Sequence, residues 1–239
     1  MAMNDAIESA FRKVYGDFWG KLNAPIATFR RTLCFGYGIS GLLDSIRRDC
    51  DNKIFVLSED RQSLAGGENI ITLSGEVADK LAAFPPNTFS LIVSTWSPRV
   101  VERAVAEQIK NALKSDGVFG LLIAEDNSPK QLYDLLKEMG YKAKTSHSPK
   151  NISNLRNMLE SSGFLHTRIW NGNMTFSFSS ANECLSNLEL MGGGVVFQGL
   201  DDAECQRLRS MLLSRLSSTV VENGAIRMEY SYLGAICAS

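Results

Sequence analysis

Thr32-Leu-Cys-Phe-Gly-Tyr-Gly-Ile-Ser-Gly-Leu-Leu43 is the stretch that decides the fold. Its apolar residues Leu33 to Phe35 run into Gly36 and Gly38, and a helix-forming run, Leu42 to Arg48, follows at once. The order is strand, tight turn, helix. Glycine adopts backbone conformations closed to other residues and lets a ligand approach the main chain, so Gly36, Tyr37 and Gly38 are the first candidates for holding a nucleotide-like group at a helix N-terminus. The same pattern also serves as a plain strand-to-helix connection, so its meaning depends on the rest of the chain.

Working outward, Ile54 to Leu57, Ile70 to Leu73, Phe89 to Ser94 and Val118 to Ile123 repeat the short apolar run that a buried parallel strand needs. Helical stretches separate them at Leu42 to Arg48, about Gly75 to Ala83, and Arg99 to Lys114, and Pro129 to Met139 follows the fifth run. Strand and helix in alternation predict βαβ units and a mostly parallel sheet covered by helices. Upstream, Ile7, Phe11, Val14, Tyr15, Phe18 and Leu22 fall at helical spacing, which predicts an N-terminal helix over about 5–29, interrupted by Gly16 and Gly20 and closed by Pro25.

Downstream, the segment from about 140 to 162 is first polar and basic (Lys142, Lys144, His147, Lys150) and then helical from Ile152 to Ser162. It reads as a cover over a site or as a solvated connection. Gly163 to Trp170 and Met174 to Ser179 alternate on either side of Asn171-Gly172-Asn173, which predicts a hairpin. Helices are expected at Ala181 to Met191 and Asp201 to Leu216, and a last strand at Ile226 to Ile236. There is no internal repeat, so residues 1–239 read as a single domain.

A chain of 239 residues with 44% hydrophobic content can bury a full core. A net charge of −1 argues against bulk nucleic-acid binding. The cysteines at 34, 50, 184, 205 and 237 are odd in number and scattered, with no metal-knuckle or redox spacing, so no metal site is expected and reduced thiols in the cytoplasm are the simplest reading. No secretory leader is expected from the first residues, and no apolar window is long enough to cross a bilayer.

This order of elements resembles the class I S-adenosylmethionine-dependent methyltransferases. The opening Ile7-Glu-Ser-Ala-Phe-Arg-Lys-Val-Tyr-Gly-Asp-Phe18 is similar to the Ala-Phe-x-x-Ala-x-x-Tyr start of the malonyl-acyl carrier protein O-methyltransferases of biotin synthesis. Asn87 to Ser94, Ile109 to Val118, Ser161-Ser-Gly-Phe164, Phe176 to Ser180, Cys184 to Met191 and Glu229 to Ala235 resemble further parts of that family, and the arginine-hydroxylating assembly factors of respiratory complex I share much of the frame. The resemblance implies a Rossmann-like α/β sandwich with a mostly parallel seven-stranded sheet and an antiparallel C-terminal strand. It also implies S-adenosylmethionine as cofactor, and methyl transfer to the free carboxylate of a malonyl group on an acyl carrier protein.

Under that resemblance Gly36, Tyr37, Gly38, Glu59, Glu76 and Ser94 form the cofactor-binding set. Glu59 would hold the ribose hydroxyls, or else cap a surface helix beside Asp60. Glu76 would meet the adenine amino group, or else sit in a helix's first turn where its charge suits the dipole. Trp96, Arg99 and Arg156 are substrate candidates: Trp96 to pack on the methyl donor or an acyl arm, and an arginine to pin the carboxylate. Core packing for Trp96 and a solvated helix start for Arg99 are the competing readings. Lys142, Lys144, Lys150 and Arg156 form either a solvated face or a dock for an acidic carrier protein.

The sequence departs from the family where acids are usual: Cys34 at the end of strand one, Ser58 at the end of strand two and Ser90 at the start of strand four. Cys34 reads as a small buried apolar residue, and His147 and His166 as surface residues without acidic partners. No general base is assigned, because a carboxylate is already ionised near neutral pH. The lost acids motivate a second expectation, a cofactor-weak relative that acts as a binding or assembly protein. A methyltransferase with a different acceptor is the third.

Overall fold

The computed structural model describes residues 5–22, 29–39, 42–43, 53–58, 69–141, 148–190, 196–197, 200–218 and 225–239. Glu59, Lys142, Lys144, His147 and most of the expected helix Leu42 to Arg48 lie outside them. Seven strands form one sheet: β1 (Arg31–Gly36), β2 (Lys53–Ser58), β3 (Ile70–Ser74), β4 (Phe89–Thr95), β5 (Leu113–Ala124), β6 (Leu165–Phe178) and β7 (Ile226–Ala238), in the order β3-β2-β1-β4-β5-β7-β6. Strands β1 to β5 pair in parallel, and β7 runs antiparallel between β5 and β6. The expected fold class is what the structure shows.

The alternation of side chains divides the core between the two faces of this sheet. One face collects Cys34, Leu91, Val93 and Leu122 under α1 (Asp5–Lys21), together with α4 (Lys130–Glu138), α6 (Ala181–Leu190) and α7 (Asp202–Ser218). The other collects Leu33, Phe35, Ile92 and Leu121 against α2 (Val77–Ala83), α3 (Arg103–Ala112) and α5 (Ile152–Ser161). Helix α5, which ends the segment expected as a cover or a solvated connection, lies in this second layer through Leu155 and Leu159.

Two expectations are corrected. Gly16 and Gly20 do not interrupt α1, because the space beside each is open and the buried stripe Phe11, Val14, Tyr15, Phe18 runs along the opposite side. The predicted hairpin at Asn171-Gly172-Asn173 is absent; β6 passes straight through it. Gly172 pairs with Tyr232 and Gly234 with Trp170. A Cβ on Gly172 would fall 2.4 Å from the Tyr232 ring, and one on Gly234 would fall 2.3 Å from the Trp170 ring. These glycines are seats for aromatic rings across the sheet, not turn residues.

The register also shows how far the last two strands overshoot. Gly36, Thr95, Leu122, Gly234 and Trp170 share one row, and β5 ends two residues on at Ala124, so Asn173 to Phe178 of β6 and Ile226 to Ser231 of β7 rise past the carboxyl ends of the parallel strands. Met174, Phe176, Phe178, Met228 and Tyr230 on this ribbon are buried beneath α6 and α7. The ribbon walls one side of the crevice above β1 and β4.

Candidate functional site

Strand order reverses between β1 and β4: from β1 the chain proceeds outward to β2 and β3, then returns to the other flank. In open α/β sheets ligands bind outside the carboxyl ends of the strands at such a point. Gly36, Tyr37 and Gly38 stand there at the end of β1, with Ser94, Thr95 and Trp96 beside them at the end of β4.

The turn is cross-braced. The Tyr37 amide donates to the Thr95 carbonyl at 2.8 Å, and Thr95 Oγ1 donates back to the Tyr37 carbonyl at 2.8 Å. Gly36 has φ +109°, and a Cβ on it would fall 1.8 Å from the Thr95 carbonyl oxygen, so only glycine lets β1 and β4 close this tightly. Gly38 has φ +71° and receives the Tyr15 hydroxyl on its carbonyl at 3.0 Å. Burial pushes the Tyr15 phenol well above its ordinary pKa, so it stays a protonated donor.

Aromatic rings close over the turn. Phe11 stacks on Tyr15 at 5.7 Å and meets Trp96 at 5.7 Å, Phe176 at 5.5 Å and Tyr37 at 5.9 Å, while Trp96 meets Tyr232 edge-on at 5.8 Å. Such pairs contribute about 0.5–1.5 kcal/mol each beyond their burial. Trp96 is 3% exposed yet carries φ +55°, a conformation that costs a bulky residue about 1–3 kcal/mol and that clusters at ligand sites. Ser94, fully buried, has no partner for its Oγ among the described residues.

The other sequence candidates fall in different places. Glu76 precedes α2 as its N-cap without capping it, and pairs instead with Arg99 from the short 3-10 turn after β4. The two therefore satisfy each other at the exposed rim between β3 and β4. Arg156 on α5 donates to the Thr167 carbonyl at 3.1 Å and pairs with Glu160 at 3.5 Å. Thr167 lies on β6, four strand spacings from β1, or about 19 Å across the sheet. The structure does not bring Arg156 to the turn.

Two of the departures resolve differently. Cys34 is wholly buried and burial alone raises its thiol pKa, so it is an apolar core residue as expected. Ser90 sits at the amino end of β4, where it exchanges hydrogen bonds with the Arg31 backbone, five residues and about 16 Å below the turn. It has no bearing on a ligand at the rim. The rim beyond β5 carries Glu125 and Asp126, and Glu125 is pushed above the ordinary carboxylate pKa by partial burial and then by Asp126.

Tyr15, Thr95 and Asn187 belong to the site and were not singled out from the sequence. An aromatic pair at i, i+4 in the opening segment was the available signal for Tyr15. Thr95 and Asn187 gave none, because their roles exist only through contacts distant in sequence.

No protein-family model and no curated protein matches this chain. Solved structures do. A protein of Bacillus halodurans described as a putative methyltransferase matches with a TM-score of 0.59 over 94% of this chain and 98% of its own, at 13% identity. The fold is the class I methyltransferase sandwich. An S-adenosylmethionine-dependent methyltransferase from Archaeoglobus fulgidus matches at 0.54 over 96% and 94%, with 11% identity. Phosphoethanolamine N-methyltransferase 2 of Haemonchus contortus, solved with S-adenosyl-L-methionine, matches at 0.53 over 95% of this chain and 52% of its own, with 13% identity. Among the described residues no helix is long and apolar enough to cross a membrane, and no group of side chains is placed to hold a metal.

Proposed function

We propose that this protein is an S-adenosylmethionine-dependent methyltransferase that holds its cofactor at the Gly36–Gly38 turn. The observation that carries the reading is the position of that turn: positive-φ glycines at the end of β1, at the switch point of a β3-β2-β1-β4-β5-β7-β6 sheet. The residues present fit the group. Gly36 and Gly38 carry positive φ at the end of β1, Ser94 Oγ is a buried polar atom with no partner among the described residues, and Phe11 and Trp96 pack over the turn.

When bound, S-adenosylmethionine supplies an electrophilic methyl group on a sulfonium. The chain's own part is alignment. Thr95 and Tyr15 fix the turn through hydrogen bonds, while Phe11, Trp96 and Phe176 shape a dry wall against which an acceptor is held. Fixing two reactants in line supplies several kcal/mol of barrier reduction with no acid or base in the protein. Titration calorimetry with S-adenosylmethionine and S-adenosylhomocysteine tests the reading; micromolar binding is expected.

The finer reading, O-methylation of a malonyl thioester on an acyl carrier protein in cytoplasmic biotin synthesis, is supported by the resemblance of the opening helix and C-terminal half. Of its candidate cations, Arg99 is engaged by Glu76 and Arg156 lies across the sheet, while Glu125 and Asp126 bring negative charge to the rim. Rescue of a biotin-requiring strain lacking its own malonyl methyltransferase tests it. Failure despite good expression and cofactor binding assigns another acceptor. The second reading, a cofactor-weak binding or assembly protein, is favoured by Cys34, which places no charge where the family has an acid. Absence of cofactor binding at millimolar concentration would select it.

A further inference from the structure

Helix α6 reaches the turn through a buried amide. Asn187 is 4% exposed and sits on the helix face that carries Cys184, Leu185 and Leu188 into the core. Its Nδ2 donates to the Glu183 carbonyl at 2.8 Å, and its Oδ1 accepts from the Tyr37 hydroxyl at 3.4 Å. Tyr37 is the residue between the two positive-φ glycines. Tyr230, fully buried, belongs to the same core cluster, and burial raises its phenol pKa well above the ordinary value. A buried amide in apolar surroundings is unfavourable unless bonded, and leucine would fill nearly the same volume without that penalty.

We propose that Asn187 is a positioning residue for the cofactor turn, acting through Tyr37, so that the seating of α6 and the shape of the turn are coupled. This rests on the reading of the turn as a cofactor site. Tyr37 is anchored at both ends, its backbone to Thr95 and its phenol to Asn187. Without the second anchor the ring loses its polar tether and is held by packing such as its edge contact with Phe11 at 5.9 Å, and the backbone it belongs to gains freedom that binding must remove. Coupling is reciprocal, so a ligand that orders the turn also steadies α6.

The test compares the full chain with Tyr37→Phe, Asn187→Leu and the double variant, by calorimetric titration with S-adenosylhomocysteine, thermal unfolding and amide exchange. One neutral hydrogen bond corresponds to a loss of about 3- to 10-fold in affinity. Each single variant is expected to show it, and the double variant no more than the larger single loss. The double variant, with both polar partners gone, should unfold at or above the wild-type temperature while keeping the weakened affinity, which a purely structural contact would not do. Unchanged affinity in Asn187→Leu, or losses that multiply in the double variant, would overturn the proposal. Should the wild type bind no S-adenosylhomocysteine, the proposed function fails, and exchange at the 36–39 amides still judges the coupling. Faster exchange in both single variants supports it, and unchanged rates refute it.

Discussion

Glycine does opposite work at the turn after β1 and on the β6–β7 ribbon. At Gly36 the neighbour that excludes a side chain is backbone, the Thr95 carbonyl oxygen at 1.8 Å from a built Cβ, and the φ of +109° bars other residues as well. At Gly172 and Gly234 the neighbour is a ring that has swung over the strand, and no positive φ is involved. The first glycine is required by chain geometry that cannot move. The second pair is required by side chains that can. A glycine that shapes a ligand crevice and a glycine that lets a sheet wall pack therefore look alike in sequence and differ in how they fail.

Substitution separates them. Gly36→Ala should cost the most, about 3–5 kcal/mol or failure to fold, because strand separation and left-handed strain add. Gly234→Ala and Gly172→Ala should cost about 1–3 kcal/mol each, as expected for overpacking a core. Pairing Gly172→Ala with Tyr232→Leu should recover much of that loss, whereas Gly36→Ala should resist rescue by any substitution at Thr95, where the clash is with main chain. Chemical denaturation checks all of these. Rescue of Gly36 by a side-chain change would erase the distinction.

The next effect is one of pH. Burial holds the Cys184 and Cys237 thiols up at about 12, against 9.0 for an ordinary thiol in the same scale. The raised value means that the folded state keeps a proton the unfolded chain releases. That stability is fully present below pH 9 and is lost as pH rises from 9 towards 12, by up to about 1.4 kcal/mol per pH unit for each thiol. Unfolding followed from pH 8 to 10.5 should steepen accordingly, and Cys237→Ala should flatten the slope. Smallest of all, Arg99→Gln should change stability by no more than about 1 kcal/mol, since the Glu76–Arg99 pair is exposed on both sides.

These contrasts also explain what the sequence could reveal. Apolar runs flanked by turn residues sufficed for β1 to β5: β1 and β4 are buried on both faces and need nearly continuous hydrophobicity, and the half-exposed edge strand β3 still carries an apolar run. The crevice followed from Gly36 and Gly38 in that context. The hairpin failed because Asn171-Gly172-Asn173 carries strong turn chemistry, and the reason for its glycine, Tyr232, lies 60 residues downstream. Arg156 was a candidate on charge alone, and only strand order shows that it stands at the far side of the sheet. Ser90 weighed as a lost acid at the start of strand four, and only the structure shows that this position lies far from the turn and is bonded to the Arg31 backbone. Asn187, which braces the turn from α6, is a tertiary fact with no local pattern, whereas Tyr15 on α1 left only the faint signal of an i, i+4 aromatic pair.

The account stands most directly on whether the braced turn takes the cofactor. Titration calorimetry of the full chain with S-adenosylmethionine should give saturable heat with micromolar affinity, weakened by Tyr15→Phe, which removes the hydroxyl that donates to the Gly38 carbonyl at 3.0 Å and to the Tyr37 carbonyl at 3.5 Å. No heat and no thermal shift at millimolar cofactor would contradict it.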